Sequence, residues 1–190
     1  MNERLPRIGV ALLVVCISTA LSGLVSAEVI VSSGVECNGV TELHKSRAEW
    51  RQYGIVNSDQ TRDMWVSCPL DRVQGLPASP RHFTSALSLF HRGTQDGREA
   101  QATCYLVEIS AAGIVKARNQ SLSLKAGQQK IIGFCDAQPR DFFNSYAFIC
   151  RLSPGAGIST LMTESHVSGV ENSILSLQIE EFSATCVDGS

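Results

Sequence analysis

The chain has 190 residues, 44% of them hydrophobic and 18% charged, and a formal net charge of −2. A balance so close to neutral, with charges spread along the length without runs, excludes the electrostatic footprint that binding to nucleic acid or an anionic membrane requires. Length and hydrophobic content suit one domain with a sizeable core.

Arg4 and Arg7 precede an apolar run over residues 8–24 that ends in Val25-Ser26-Ala27, a small-residue pattern after which a signal peptidase cuts. Residues 1–27 are therefore expected to be a removed secretory signal, and residues 28–190 a single domain. Ser18, Thr19, Ser22 and Gly23 dilute the run as a membrane anchor, and Val15 is too large for the position before a lipid-carrying Cys16. Cleavage takes two of the 16 basic and one of the 18 acidic residues, so the mature chain keeps a net charge of −3. The expected location is secreted or periplasmic, with no membrane association after cleavage.

Removing Cys16 from the seven cysteines leaves Cys37, Cys68, Cys104, Cys135, Cys150 and Cys186. An even number in a secreted chain predicts three disulfides. Zinc is the competing reading, but no two of the six have knuckle spacing and no histidine pair has ligand spacing.

In chain order, the β-branched run EVIVSS at 28–33 predicts the first strand, and Cys37-Asn38-Gly39 a turn. Ser46 with Glu49 three residues on is the pattern of a capping box, so a short helix is expected to begin there. Residues 52–57 and 62–69 flank the polar Ser58-Asp59-Gln60-Thr61 and predict a hairpin. Gly75, Pro77 and Pro80 predict a stiff loop over 71–81. Residues 81–92 alternate as a strand. The sequence GTQDGREA at 93–100 then predicts the exposed tip of a long hairpin leading into the strand 102–109. Short strands are expected at 114–117 and 121–124, followed by one at 129–135 and a polar loop over 136–141. In 145–152, Tyr146, Phe148, Cys150 and Leu152 fall on one side of an extended chain, the pattern of a half-buried strand. Residues 158–167 are extended again, and 172–182 read as a closing strand or a short helix.

Eight to ten strands, turns about every ten residues and no βαβ alternation predict an antiparallel β-sandwich, immunoglobulin-like or jelly-roll-like. Cys104 and Cys150 sit on apolar faces of alternating strands and are expected to pair. Cys37 and Cys68 lie at element ends, where a bridge would hold the irregular 40–51 segment to the sheet. Cys135 and Cys186 are expected to anchor the tail.

The order of short motifs YGIVN (53–57), VSCP (66–69), TCYL (103–106) and SYAFIC (145–150), closed by a β segment reaching Glu164, resembles a loose group of secreted bacterial β-rich proteins of unknown function. The likeness spans residues 37–164, and the group brings no activity with it.

The sequence carries few marks of catalytic or metal chemistry. There is no G-x-S-x-G nucleophile turn. His44, His82, His91 and His166 are isolated and read as surface or edge residues rather than bases. Residues 57–63 (NSDQTRD) place oxygen-bearing side chains at alternate positions, as a calcium loop does, but lack its sixth-place glycine and distal glutamate. Asp136 and Asp141 flank Pro139-Arg140 and fit a turn better than a pair of glycosidase carboxylates. Asn119-Gln120-Ser121 is a glycosylation sequon, meaningful only in a eukaryotic secretory pathway. Trp50, Tyr53 and Trp65 are the candidates for stacking on a sugar, each equally able to serve a core. The expectation is a secreted, non-enzymatic binding or envelope-associated module of unknown ligand and with no cofactor, a carbohydrate or another envelope protein being the candidate partners. The alternatives are a hydrolase whose site assembles only in the fold, and a protease inhibitor presenting 93–100.

Overall fold

The computed structural model describes residues 28–52, 54–70, 82–137, 145–166 and 186–187. Its strands, in chain order, are β1 (Glu28–Ser33), β2 (Asn38–Gly39), β3 (Ala48–Arg51), β4 (Gly54–Asn57), β5 (Met64–Pro69), β6 (His82–His91), β7 (Ala100–Ser110), β8 (Gly113–Leu124), β9 (Gln129–Ala137), β10 (Ser145–Leu152), β11 (Ala156–His166) and β12 (Cys186–Val187). One helical turn, α1 (Glu42–Lys45), separates β2 from β3.

These strands form two sheets. Five pair in the order β2-β5-β10-β7-β8, and seven form the other sheet in the order β12-β9-β6-β11-β4-β3, with β1 also on β11. Pairing is antiparallel throughout except where β12 joins β9 in parallel. Alternation dictates the layering. Tyr146, Phe148, Cys150 and Leu152 of β10 are buried, as are Met64, Val66 and Cys68 of β5 and Ala102, Cys104 and Leu106 of β7. They meet Phe83, Leu87, Leu89, Ile132, Phe134 and Leu161 of the seven-stranded sheet. Ring contacts cross the interface among the described residues: Phe83 meets Tyr146 edge-on at 4.9 Å, and Phe134 lies 5.6 Å from Phe148.

Two disulfides lie in the five-stranded sheet. Cys104 and Cys150 face each other directly across the β7–β10 ladder and are bonded. Cys37, just ahead of β2, is bonded to Cys68 of β5. Both link neighbouring strands of one sheet, so the two layers are held together by packing and not by these bridges.

The seven-stranded sheet has an unusual edge. β1 pairs with residues 160–165 of β11 and β4 with Gly157 and Ile158, so two strands share one side of β11 end to end. Where they meet, the β6–β11 register slips between Ile158 and Thr160. The junction admits no side chain at Gly54, whose φ is +146° and where a Cβ would stand 1.9 Å from the Ile158 carbonyl oxygen. Glycine is required there both by backbone conformation and by space.

Several expectations are corrected. The helix lies upstream of the anticipated capping box: Thr41 is its N-cap, and Ser46 closes its C-terminus. The residues beyond Ser46 form β3, whose pairing with β4 outweighs a local capping signal. The runs around 58–61 are not a hairpin, because β4 belongs to the seven-stranded sheet and β5 to the other. Residues 93–99 likewise do not tip a hairpin, since β6 and β7 lie in different sheets. In both places the polar connection arches from one layer to the other. Residues 114–124 form a single strand, and the tight turn at Gly113 pairs it with β7 along its length. His91 is buried at 1% exposure, not at an edge. The signal at 1–27, the loop at 71–81, Tyr53, Asp141 and the 172–182 segment lie outside the described residues.

Candidate functional site

The outward face of the five-stranded sheet carries the side chains that alternate with the core. Two rows run across it. One is Trp65, Arg151, Thr103 and Ser121, from β5, β10, β7 and β8; the other is Ser67, Ile149, Tyr105 and Asn119 from the same strands. Trp65 and Tyr105 flank β10 on a diagonal, and their rings approach to 6.2 Å with planes 27° from parallel. An indole and a phenol stacked in this way over a strand combine apolar rings with polar tips.

Polar groups surround this pair, held by partners of their own. Arg151 is 57% exposed, and its Nε donates to Asp63 Oδ2 at 2.6 Å, which fixes the head beside Trp65. On the far side, Thr103 and Ser121 hydroxyls share a hydrogen bond of 2.8 Å, and Gln101 Nε2 donates to Ser123 Oγ at 2.7 Å. The result is a ladder of hydroxyls and amides along β7 and β8, next to an aromatic pair and one ion pair.

The arch at 58–63 positions Asp63. Arg47, with its side chain mostly buried, donates from Nη1 to the Asp63 carbonyl at 2.7 Å, and its Nε lies 3.4 Å from Asp59 Oδ2. Asn57 is fully buried, and its Nδ2 donates to the carbonyls of Arg62 and Leu152. Asp59 Oδ1 accepts from the backbone N–H groups of Thr61 and Arg62 and from the Thr61 hydroxyl. The Thr61 N–H above all, and then these further donors and Arg47, hold Asp59 below the usual aspartate range. The oxygens that resembled a calcium loop are thus turned inward on the chain's own donors. Among the described residues no group of three or more His, Cys, Asp or Glu is placed to hold a metal.

The remaining sequence candidates are scattered. Trp50 is 45% exposed but lies on β3 of the opposite sheet, away from Trp65. His82 and His166 are register partners on β6 and β11, His44 is in α1, and neither ring nitrogen of His91 has a hydrogen-bond partner among the described residues. The 93–99 arch is tied within itself: Thr94 Oγ1 donates to Asp96, and Arg98 pairs with the same carboxylate. The Thr94 hydroxyl first, then the Arg98 N–H and guanidinium, lower Asp96 to about 2. Neither described disulfide falls in this arch. Glu49 is likewise held low by Arg92, with Arg51 assisting. These three carboxylates serve as acceptors in ion pairs and turns, not as proton donors near neutral pH.

Reasoning from sequence missed Tyr105, Arg151 and the β7–β8 ladder. The signal was present as the odd-numbered positions of 101–105, which alternate with buried Ala102 and Cys104. Arg151 likewise sits on the side of β10 opposite its buried row.

Fold and surface together define an all-β sandwich of two sheets with a polar and aromatic outer face. No protein-family model matches the chain, and no curated protein does. Among solved structures, a xylan-binding module, CBM15, aligns with 76% of this chain and 100% of its own at 10% identity and a TM-score of 0.48. TmCBM61, solved with β-1,4-galactotriose, aligns over 70% of this chain and 86% of its own at 11% identity and 0.41. A cyclase from Fischerella sp. TAU aligns over 80% of each chain at 11% identity and 0.37. At these scores the likeness assigns no function, which rests on the chain's own surface. No helix of the described residues is long and apolar enough to cross a membrane.

Proposed function

We propose that this is a secreted, non-enzymatic carbohydrate-binding module, with a jelly-roll-like sandwich, whose ligand rests on the outer face of the five-stranded sheet. The observation that carries this reading is the Trp65–Tyr105 pair, whose rings lie to either side of β10 and its Arg151–Asp63 ion pair, with the hydroxyl and amide ladder of β7 and β8 beside Tyr105. A pyranose ring has just these two requirements. Its axial C–H groups form an apolar face that settles on an aromatic ring, and its hydroxyls bond to side chains that donate and accept in the ring plane. Rigid strands hold the side chains in place, so binding costs little ordering of the protein. The removal of residues 1–27 by a signal peptidase and a third bridge between Cys135 and Cys186 complete the reading, since both belong to an oxidising compartment outside the cytoplasm.

Affinity electrophoresis in gels containing soluble polysaccharides tests it. Retardation by at least one polysaccharide, abolished in Trp65→Ala and retained in Trp50→Ala, is the expected result. Equal retardation of all three proteins would remove the face from the account.

A further inference from the structure

Resting on the carbohydrate reading, we infer that this face selects an uncharged glycan lying across the strands, and that the Arg151–Asp63 pair is what rejects acidic sugars. In the two rows that carry the face, the residues on β5, β10, β7 and β8 are Trp65, Arg151, Thr103 and Ser121 in one and Ser67, Ile149, Tyr105 and Asn119 in the other. Arg151 is the single charged side chain among them, and Asp63 Oδ2 neutralises it from 2.6 Å.

The polar groups are arranged for a ligand crossing the strands. Three interstrand spacings separate β5 from β8, a span of about 14 Å, which accommodates several sugar units between Trp65 and the Ser121 and Asn119 end. Along that line a ligand meets Trp65 on β5 first, then Arg151 and its ion pair on β10, then Tyr105 and Thr103 on β7 and Ser121 on β8, where the Thr103 and Ser121 hydroxyls already share one hydrogen bond and keep their remaining acceptor capacity for a ligand. A guanidinium and a carboxylate side by side donate to and accept from neighbouring hydroxyls of one neutral ring. A uronate placed there gains Arg151 and meets Asp63 at nearly the same distance, so its charge brings no net attraction and it still loses hydration.

The experiment is calorimetric titration of the protein with cellohexaose, xylohexaose and mannohexaose as neutral probes and hexagalacturonate as the anionic one, in low and high salt. At least one neutral probe is expected to bind with an affinity that changes less than about twofold between roughly 50 and 500 mM sodium chloride, because no net charge is neutralised on binding. Hexagalacturonate is expected to bind at least about tenfold more weakly. Asp63→Asn keeps an acceptor for Arg151 but leaves its charge uncompensated, so this variant is expected to gain at least about tenfold for hexagalacturonate relative to the neutral probe, and to lose that gain in high salt. Tighter binding of hexagalacturonate by the unaltered protein, weakening steeply with salt, would overturn the inference and leave the carbohydrate reading standing. Selectivity unchanged in Asp63→Asn would also overturn it. If none of the four probes binds, the inference and the carbohydrate reading fall together.

Discussion

Gly54 shows how one residue sets the geometry of an entire edge. It lies where β4 takes over from β1 beside β11, and a Cβ there would meet the Ile158 carbonyl at a distance no packed atom tolerates. Gly54→Ala combines backbone strain at a positive φ with displacement of β11, and is expected to cost roughly 2 to 4 kcal/mol in urea unfolding. Asp59 acts at the same scale by fastening the arch beneath the candidate site. Its folded pKa is depressed, so the stability it contributes is present above the ordinary aspartate range and is lost as pH falls through the folded value. Asp59→Ala is therefore expected to be less stable than the parent by about 1 kcal/mol at neutral pH. The difference should shrink as the pH falls below about 4. Urea titrations of the two proteins along a pH series check this; a gap that widens on acidification would contradict it.

Among the elements, β10 was fully legible: its span, buried row and cysteine are visible in the alternation of 145–152, and the central position follows from a strand whose inward row is wholly apolar. The arches at 58–63 and 93–99 were not. A short polar run between two β-rich segments has the same composition whether it folds the chain back into one sheet or carries it about 10 Å to the other. What decides is long-range: Asn57 reaching Leu152, and Gly155 donating to the Asn57 carbonyl, hold the first arch to a turn almost a hundred residues away in sequence. The outward row of β7 was legible only in part, since alternation marks Thr103 and Tyr105 as surface but gives no clue that Trp65 comes to lie beside them. Peptide mapping without reduction is expected to yield fragments joining Cys104 to Cys150, Cys37 to Cys68 and Cys135 to Cys186. For the last pair, the parallel ladder sets Cys186 opposite Gly133, two residues from Cys135. Cys104→Ser leaves Cys150 as a buried thiol and is expected to destabilise by roughly 2 to 5 kcal/mol.

For the whole molecule, two sheets closed over one core leave their outer faces to solvent, and function has to be sought there or on the arches. The described residues contain one α-helix, of four residues. Far-ultraviolet circular dichroism of residues 28–190 is expected to show helix below about 15%, against the third usual in globular proteins. The all-β class and the Cys37–Cys68 and Cys104–Cys150 disulfides followed from periodicity and cysteine placement, both properties of the chain read locally. The binding face did not, because it is assembled from four strands that the sequence separates by up to nearly ninety residues, Trp65 to Arg151 being the widest interval. The chain has two tryptophans, Trp50 and Trp65, on opposite sheets, so each variant lacking one reports on a single face. The most direct measurement is tryptophan fluorescence during titration with the oligosaccharide that binds. Trp50→Phe is expected to show a saturable change in Trp65 emission with the same midpoint as calorimetry, while Trp65→Phe shows none. A saturable change in Trp65→Phe, with Trp50→Phe silent, would place the ligand on the other sheet and contradict the account.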